Sequence, residues 1–527
     1  QALTMEPRCH PHAMPSCPGP DYSDVQPEDL ICEGLAEIIK VKVDNNEVFY
    51  NPVQVFNRDL SVVVLKAFSA LREKEINDSA ARKRSRIAER GWGSDPPSFR
   101  GLNVLEALSA TGLRAIRYWK EVPGIGHICA NDIKKEAAEH IRRNVEFNSI
   151  DPEKVVPNCG DAVVYMHNNK GKYDVIDLDP YGSAAPFLDA AVQSVANGGM
   201  LCITSTDSAV LCGKTPEVSF YKYGGTAVRG KYIHEGSLRL LLNATAHAAA
   251  RYQRSVEPLA CFSIDFYVRI FVRIRDSAAT AKDLGCSSGL VLQCAGCDCF
   301  RIVRMGVTAE KGEQKIHKPG RMPAHGSKCL ECESDAEWAI GGPMWMGPLY
   351  SPSFVTSCLQ LTSENKREDS PGVTSWAKVV GLLSAVGDEP LDVPLFYTLP
   401  GLCSAVKLSC APVSRFRAAL RRLGFQAGHF HREPQAVKTN APEKVVFDVL
   451  RTWAKGQPAP KAVHPILKHE IETPNIDLSE PDSSEAATRV PMFLPNPERN
   501  WGPKRAATAT SAAPGAKMPK SSPASTE

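Results

Sequence analysis

The sequence predicts an α/β fold, because short apolar strands alternate with helical patterns from residue 102 to residue 274. This alternation is typical of a parallel sheet that is covered by helices on both faces. Ligands of such sheets bind at the carboxyl ends of the strands. The chain has 527 residues, of which 43% are hydrophobic, so it is long enough to form two domains.

Each element follows from its local pattern. Residues 37–50 alternate around a polar turn at 44–46, which predicts a β-hairpin, and a helix over 57–71 follows with Asn57 or Asp59 as its cap. Residues 74–97 are charged and poor in apolar side chains, so we expect a mobile basic insertion, either a solvated loop or an RNA contact. The predicted strands are 102–108, 127–130, 155–156, 173–178 and 200–205, with helices at 113–120, 134–148, 162–167, 185–196 and 234–252 and a terminal hairpin over 259–274.

Composition excludes two classes of protein. No apolar run of about 18 residues occurs, so we expect no membrane-spanning segment. The 17 cysteines include two C-x2-C pairs, which favours a reducing compartment and a metal site over a secreted disulfide scaffold.

Residues 1–27 and the basic tail 476–527 are rich in Pro and Ser, and we expect both to be disordered. Because the chain starts at Gln1, we also expect a missing amino-terminal segment, and with it any targeting signal.

Residues at the strand ends indicate the ligand. Glu106 and the turn 109–112 lead into a helix whose free N–H groups can receive a carboxylate, and Asp132, about 20 residues on, can accept both ribose hydroxyls of a nucleoside. After the third strand, Asp161 and Ala162 occupy the place of an adenine edge. The absence of a G-x-G-x-x-G motif disfavours a dinucleotide. Each acid has an alternative role as a helix cap.

The fourth strand leads into Asp179, Pro180, Tyr181 and Gly182, an arrangement that suits methyl transfer to an exocyclic amine. The nitrogen of such an amine is a poor nucleophile, since its lone pair is delocalised into the ring. Hydrogen bonds to the Asp179 carboxylate and the Pro180 carbonyl would draw that lone pair out of conjugation, and Asp179 can take the proton while Tyr181 stacks on the base. The alternative is an ordinary turn, because Asp-Pro and Gly are turn formers.

Several segments resemble the tRNA (guanine-N2) dimethyltransferases of eukaryotic type that modify guanine-26. The resemblance covers residues 30–505 and rests on six segments, at 49–60, 110–114, 179–182, 341–345, 436–442 and 496–503. It implies a class I (Rossmann-like) methyltransferase fold that uses S-adenosylmethionine, followed by a zinc-containing α+β domain. It also implies that the product is N2,N2-dimethylguanosine at position 26 of tRNA.

The same resemblance assigns roles to individual side chains. Arg58 and Arg114 are implied to hold the methyl donor, with Asp132 at its ribose. Asp161 and Ala162 are implied to lie beside its adenine, and the catalytic acid corresponds to Asp179. For both arginines the alternative is a structural ion pair to a strand-end acid.

A metal site is predicted in the second half of the chain. The two C-x2-C pairs have the spacing that lets four thiolates surround one structural Zn ion. The predicted ligands are Cys294, Cys297, Cys329 and Cys332, with Cys286, Cys299, His317 and His325 as competitors. A set of free, reduced cysteines is the alternative.

Basic residues farther along predict an RNA-binding surface. The helix 413–423 groups several arginines and is followed by a strand at 425–431, as in a small module of the winged-helix type. The residues expected to bind tRNA are Arg415, Arg417, Arg421 and Lys438, with a solvated basic helix as the alternative. We therefore expect a methyltransferase domain at 28–275 and a tRNA-binding domain at 276–475.

Two other functions stay open at this stage. One is an amino methyltransferase acting on another RNA base or a DNA base, since the Asp-Pro-Tyr chemistry serves any exocyclic amine. The other is a noncatalytic, zinc-dependent RNA-binding protein, which the acid at Asp179 disfavours. We expect a monomer that resides in the nucleus, the mitochondrion or both, with the cytoplasm as a further location.

Overall fold

The computed structural model describes twelve stretches of the chain, namely residues 25–40, 42–43, 46–47, 50–90, 94–96, 98–312, 314–322, 328–335, 337–364, 372–458, 463–481 and 492–493. The segment 1–27, except for its last three residues, lies outside these stretches, as do most of the tail 476–527, the segment 496–503 and the candidate ligand His325. Within the described part of the chain, no helix is long and apolar enough to cross a membrane.

Two small hairpins precede the first helix. Strands β1 (Leu30–Glu33) and β2 (Ala36–Ile39) pair antiparallel, a hairpin that the sequence pattern did not reveal. Strands β3 (Lys42–Val43) and β4 (Asn46–Glu47) form the hairpin predicted around residues 44–46. Helix α1 (Val55–Arg90) follows a single 3-10 turn whose first amide is capped by Asn51, so the predicted cap at Asn57 or Asp59 is wrong.

Helix α1 also corrects the expected mobile insertion at 74–97, because it continues unbroken to Arg90. Ala, Glu, Lys and Arg are good helix formers, so a charged stretch without Gly or Pro can extend a helix. Tertiary contacts hold the extension: Arg273 donates to Glu75 at 2.8 Å, and Ala80 is buried. Of the rest of the insertion, residues 94–96 have no regular structure and residues 91–93 and 97 lie outside the described residues.

A seven-stranded sheet forms the centre of the molecule, with the order β10-β11-β9-β8-β5-β6-β7. Strands β5 to β9 run parallel, and β11 is antiparallel to both of its neighbours. The strands are β5 (Leu102–Glu106), β6 (Ile125–Asp132), β7 (Val155–Cys159), β8 (Tyr173–Leu178), β9 (Val195–Ser205), β10 (Arg254–Ile264) and β11 (Tyr267–Asp276). Every strand predicted from residue 102 onward is present, and the order reverses between β5 and β8, where ligands of such sheets bind.

Helices cover both faces of this sheet. They are α2 (Leu113–Glu121), α3 (Lys135–Phe147), α4 (Ala162–Asn168), α5 (Ala185–Ser194), α6 (Ser208–Leu211), α7 (Pro216–Tyr223) and α8 (Ile233–Ala250). Strand β8 is apolar along most of its length and buried, as expected for a central parallel strand. The α/β prediction is therefore confirmed.

The second half combines three small antiparallel sheets with helices. Its elements are α9 (Ala278–Ala281), α10 (Leu284–Ser287), β12 (Ser288–Cys294), β13 (Phe300–Arg304), β14 (Gly306–Lys311), β15 (Gln314–Pro319), β16 (Trp338–Trp345), α11 (Pro352–Glu364), α12 (Trp376–Gly387), β17 (Tyr397–Thr398), α13 (Leu399–Ala405), α14 (Val413–Arg422), β18 (Ala427–Phe430), β19 (Glu433–Thr439) and α15 (Glu443–Lys455). The sheets have the orders β13-β12-β16, β14-β15 and β17-β19-β18. Helices α13 and α14 pack against the β18-β19 hairpin, and the winged-helix-like module stays a prediction.

The two halves share their hydrophobic cores. Phe354 and Val355 of α11 and Leu383 of α12 are buried together with residues of α1. On the other face of the sheet, Met344 and Phe430 belong to the same buried cluster as the β8 and α8 residues. Strand β11 ends at Asp276, and the apolar core continues across the boundary expected near residue 275.

Candidate active site

Arg114 lies at the centre of the site, where three strand-end acids converge. Its guanidinium donates to Asp179, and it lies 3.6 Å from Glu106 and 3.8 Å from Asp177. The sheet explains this convergence, since β5 ends at Glu106 and neighbouring β8 carries the two aspartates at its carboxyl end. Burial of one cation among three acids strengthens each interaction relative to water.

Asp177 is the innermost of these acids. Arg269 donates to both of its oxygens at 2.8 Å, and the Tyr118 hydroxyl donates at 2.6 Å. Burial alone would raise the pKa of Asp177, but Arg269 and Arg114 outweigh it and hold the pKa below its usual range. Asp177 is therefore ionised and serves as the electrostatic anchor for both arginines.

The pKa of Glu106 shifts in the opposite direction to that of Asp177. Complete burial raises its pKa to about 8, with Asp177 and Asp179 adding to the shift and Arg114 and Ser109 opposing it. Its Oε2 accepts from the Ser109 hydroxyl and from the Ala115 amide at 3.2 Å. Glu106 thus fixes the turn that begins α2.

The loop after β8 is held against the end of β9. Gly182 adopts a φ of +79°, its amide donates to the Thr206 hydroxyl at 2.8 Å, and its carbonyl accepts from the Thr206 amide at 2.9 Å. Pro180 is buried, whereas Tyr181 is 73% exposed and presents its ring to solvent. Among the contacts of the described residues, Asp179 uses only Oδ2, so Oδ1 is available to a substrate.

Asp132 and Asp161 both bind backbone amides, as in the capping role that was their alternative. Asp132 accepts from the Ala110 and Lys134 amides at 3.0 Å each, and Asp161 caps α4 through one oxygen, Oδ1. A carboxylate has about four acceptor positions, so capping leaves room for ligand hydroxyls or an amine. Ala162 is buried directly behind the cap.

Two exposed apolar side chains beside these acids were missed. Ile133 follows Asp132 and Val164 lies on the first turn of α4. Strands β6 and β7 pair Asp132 with Cys159, which places both loops at one edge of the sheet. An aliphatic residue directly after a strand-end acid is the signal that could have identified Ile133.

Arg58 forms the structural ion pair that was its alternative role. Its Nε and Nη2 donate to the two oxygens of buried Glu33 at 2.6 Å and 2.5 Å. The pKa of Glu33, which burial would raise, is held below its usual range by Arg58 and Arg117. In the described part of the chain, Nη1 of Arg58 makes no hydrogen bond.

The four predicted metal ligands lie together. The Sγ atoms of Cys294 and Cys332 are 3.7 Å apart, those of Cys297 and Cys329 are 3.8 Å apart, and all four lie within 4.8 Å of one another in a buried cluster. Of the competitors, Cys299 lies beside the cluster and donates to Glu443. His317 lies on the separate β14-β15 hairpin, where its Nε2 is 2.8 Å from Oδ1 of Asp283. Cys286 is in α10, outside the cluster.

Lys438 is not part of an RNA-binding surface, and that prediction is wrong. It is 2% exposed, and its Nζ donates to Glu235 at 3.0 Å and to Glu389 at 3.1 Å. Glu389 is fully buried, yet Lys438 and His431 lower its pKa to about 2. The lysine joins β19 to α8 and is unavailable to a phosphate.

The arginines of α14 are also largely engaged. Arg415 pairs with Glu480 at 2.7 Å, and Arg417 donates to the backbone carbonyls of residues 434 and 436. Arg421 is exposed and donates to the Ala427 carbonyl, and Arg422 binds the backbone of 477–480. Residues 476–481 therefore pack on α14 and do not belong to a disordered tail.

The strand order, the acids at adjacent strand ends and the Asp-Pro-Tyr-Gly loop together define a Rossmann-like methyltransferase. The chain belongs to the family of N2,N2-dimethylguanosine tRNA methyltransferases, whose family model matches residues 32–451. The resemblance identified from the sequence motifs is thereby confirmed.

Relatives from several eukaryotes match over most of their length. The chain is 38% identical over 496 residues to the tRNA (guanine(26)-N(2))-dimethyltransferase of Schizosaccharomyces pombe, covering 87% of this chain and 89% of the relative. It is 34% identical over 533 residues to the mitochondrial one of Saccharomyces cerevisiae, covering 91% and 92%. The solved structure of Trm1 from Pyrococcus horikoshii with S-adenosyl-L-methionine matches with a TM-score of 0.63 and 29% identity, covering 80% of this chain and 98% of that one.

Proposed function

We propose that this protein transfers methyl groups from S-adenosylmethionine to the exocyclic N2 of guanine-26 in tRNA, giving N2,N2-dimethylguanosine. The observation that carries the proposal is the loop after β8, in which Arg114 binds Oδ2 of Asp179 while Oδ1 makes no hydrogen bond to the described residues. Family membership supports the choice of tRNA guanine over another base.

The donor site is built from the ends of β5, β6 and β7. Asp132 would accept the ribose hydroxyls, and Asp161, through the oxygen not used in capping, would accept the adenine amino group. Ile133 and Val164 offer apolar surface to the two faces of the purine. The methionine carboxylate would face the amino end of α2, with Nη1 of Arg58 as a further donor and Arg114 nearby.

The protein's own contribution to the chemistry is to activate the amine. S-adenosylmethionine supplies an electrophilic methyl group on a sulfonium. Oδ1 of Asp179 and the Pro180 carbonyl accept hydrogen bonds from the guanine amino group, which directs the nitrogen lone pair away from the ring. Asp179 receives the proton as the new C–N bond forms, and Tyr181, exposed at the edge of the site, stacks on the base.

A structural zinc ion is the second part of the proposal. Zn–S bonds of about 2.3 Å in a tetrahedron separate the sulfurs by about 3.8 Å, which fits the distances of 3.7 Å and 3.8 Å in the cluster. Cys294, Cys297, Cys329 and Cys332 would hold the ion, which would tie β12 to the turn before β16. The buried position suits a closed site that does not take part in methyl transfer.

We further infer a monomer that acts in the mitochondrion, the nucleus or both. The mitochondrial name of the Saccharomyces cerevisiae relative supports the first location. Fractionation of tagged full-length protein tests the location, and light scattering of the purified chain tests the oligomeric state.

Nucleoside mass spectrometry of tRNA tests the function. Cells lacking the protein should lose N2,N2-dimethylguanosine at position 26, and the purified wild-type protein should restore it with S-adenosylmethionine. Asp179→Asn should reduce the rate by about two or more orders of magnitude, whereas the control Asp189→Asn, a half-exposed acid on α5, should not. Persistence of the modified nucleoside in the deleted cells, or methylation of a different base by the purified protein, would refute the proposal.

A further inference from the structure

Helix α7 presents aromatic side chains to solvent next to the loop that carries Asp179. Phe220 is 57% exposed and Tyr221 is 71% exposed, and Tyr181 of the loop is similarly open. Large apolar residues are ordinarily buried, so several exposed rings along one edge of an active site indicate a binding surface.

Contacts at its end hold α7 against this loop. The hydroxyl of buried Tyr223 hydrogen-bonds to Ser183 at 2.7 Å and to Ser205 at 3.1 Å. Lys222 binds Asp207 at 2.8 Å, just beyond the end of β9. The rings of Phe220 and Tyr221 are therefore presented from a fixed helix and not from a loose loop.

The segment that contains α7 is basic. Between residues 213 and 231, Lys214, Lys222, Arg229 and Lys231 are accompanied by one acid, Glu217. Lys214 and Arg229 are exposed, and the Arg229 side chain packs beside Gly213. Thr226 pairs with Gly342 of β16, so the segment leads from the catalytic loop to the second half of the molecule.

We propose that the α7 surface, formed by Lys214, Phe220, Tyr221 and Arg229, binds the nucleotides of tRNA that flank the target guanine. The proposal rests on the proposed function, because a guanine amino group reaches Asp179 only after the base leaves its stack. The flanking bases then lose a stacking partner, and Phe220 and Tyr221 provide one, while Lys214 and Arg229 bind the adjoining phosphates. Lys438 is buried and therefore does not contribute to the RNA-binding surface predicted on α14.

The stacking component is tested by replacing both rings. The double variant Phe220→Ala/Tyr221→Ala should bind substrate tRNA about fivefold or more weakly, with unchanged donor affinity and melting temperature, because both side chains are exposed. Phe220→Tyr/Tyr221→Phe should retain affinity. The control is Tyr252→Ala, an exposed aromatic residue two positions before β10, at the opposite edge of the sheet.

The phosphate component is tested by a salt series. Lys214→Ala and Arg229→Ala should each reduce the slope of log affinity against log salt by about 0.7 to 0.9. Unchanged affinity in the double aromatic variant together with an unchanged salt slope would overturn the proposal, while failure of the wild-type protein to methylate tRNA would refute the proposed function instead. An equal loss of tRNA affinity in the double aromatic variant and in Tyr252→Ala would also overturn the proposal, since the effect would then not be specific to the α7 surface.

Discussion

Arg114 donates to Oδ2 of Asp179, and this contact joins the helix after β5 to the loop after β8. Because Glu106 and Asp177 approach the same guanidinium, one arginine sets the position of the proposed catalytic acid relative to the proposed donor site. Lysine cannot reproduce this, since its single ammonium lacks the planar fork that meets several carboxylates at once.

Arg114→Lys should therefore reduce the rate at saturating donor and tRNA by about two orders of magnitude, the effect of a misplaced reacting group. The measurement is a single-turnover rate beside KM for both substrates. The control is Arg72→Lys, which changes an arginine on α1 whose partners are Glu75 and Asp174. A rise in KM for the donor with kcat unchanged would mean that Arg114 only binds the donor.

The second prediction concerns Asp132. Asp132→Ala should weaken S-adenosylmethionine binding by roughly 2 to 4 kcal/mol, because two charge-assisted hydrogen bonds to the ribose are lost. Calorimetric titration measures this. Asp132→Asn is the companion variant, since it retains an oxygen for the Ala110 amide. If Asp132→Ala binds the donor as tightly as the wild type, the ribose assignment is wrong.

The third prediction concerns zinc. Natively purified protein should contain one Zn per chain, and Cys297→Ser or Cys329→Ser should lower the melting temperature while leaving donor affinity largely intact. Cys410→Ser, which changes an exposed cysteine, is the control. Metal analysis that finds no zinc in the native protein would contradict the assignment.

Burial of Lys438 gives a fourth prediction. Lys438→Met removes the cation that Glu235 and Glu389 share and leaves each buried carboxylate with one side-chain partner, Arg239 or His431, so we expect a loss of about 3 to 5 kcal/mol in the free energy of unfolding. The salt dependence of tRNA binding should stay unchanged. Lys444→Met is the matched control, because it breaks an exposed pair with Glu472 that is worth about 1 kcal/mol or less. If the slope of log tRNA affinity against log salt is smaller for the Lys438 variant than for the wild type, Lys438 does bind RNA.

The fifth prediction follows from the raised pKa of Glu106. Since its folded-state pKa of about 8 exceeds the ordinary value of 4.5, its contribution to stability is complete below pH 4.5 and is lost as the pH rises through 8. Glu106→Gln should remove this loss, so the wild type should lose more stability than the variant between pH 6 and pH 9. Urea unfolding at both values tests this, and parallel changes in the two proteins would contradict it.

The local sequence pattern was sufficient to predict the central sheet and the acids at its strand ends. Apolar runs bounded by turn residues specify parallel strands, and a strand end places Asp132, Asp161 and Asp179 on one edge whatever else the chain does. The double use of Asp132, as a cap and as a candidate ligand, also follows from local spacing.

Long-range partners account for what local pattern missed. Lys438 looks like a surface lysine in its own segment, and its burial is tolerable only because Glu235 and Glu389, which are 203 and 49 residues away, pair with it. Likewise, the charged end of α1 appeared mobile because its anchor, Arg273, comes from a distant strand. Arginines of α14 appeared available because their partners in residues 477–480 lie in a segment whose composition resembles disordered chain.

The bond between Lys438 and Glu235 has a consequence for biosynthesis. Helix α8 leaves the ribosome long before β19, so until the second half arrives the nascent sheet has a carboxylate, Glu235, that is bound only by Arg239 of its own helix, and an uncovered apolar face on α1. We expect the sheet to reach its native packing only after translation has passed residue 438. Until then we expect chaperones to bind its exposed apolar surface. Premature stop codons shortly before residue 438 would then abolish the enzyme and not merely weaken its binding of tRNA.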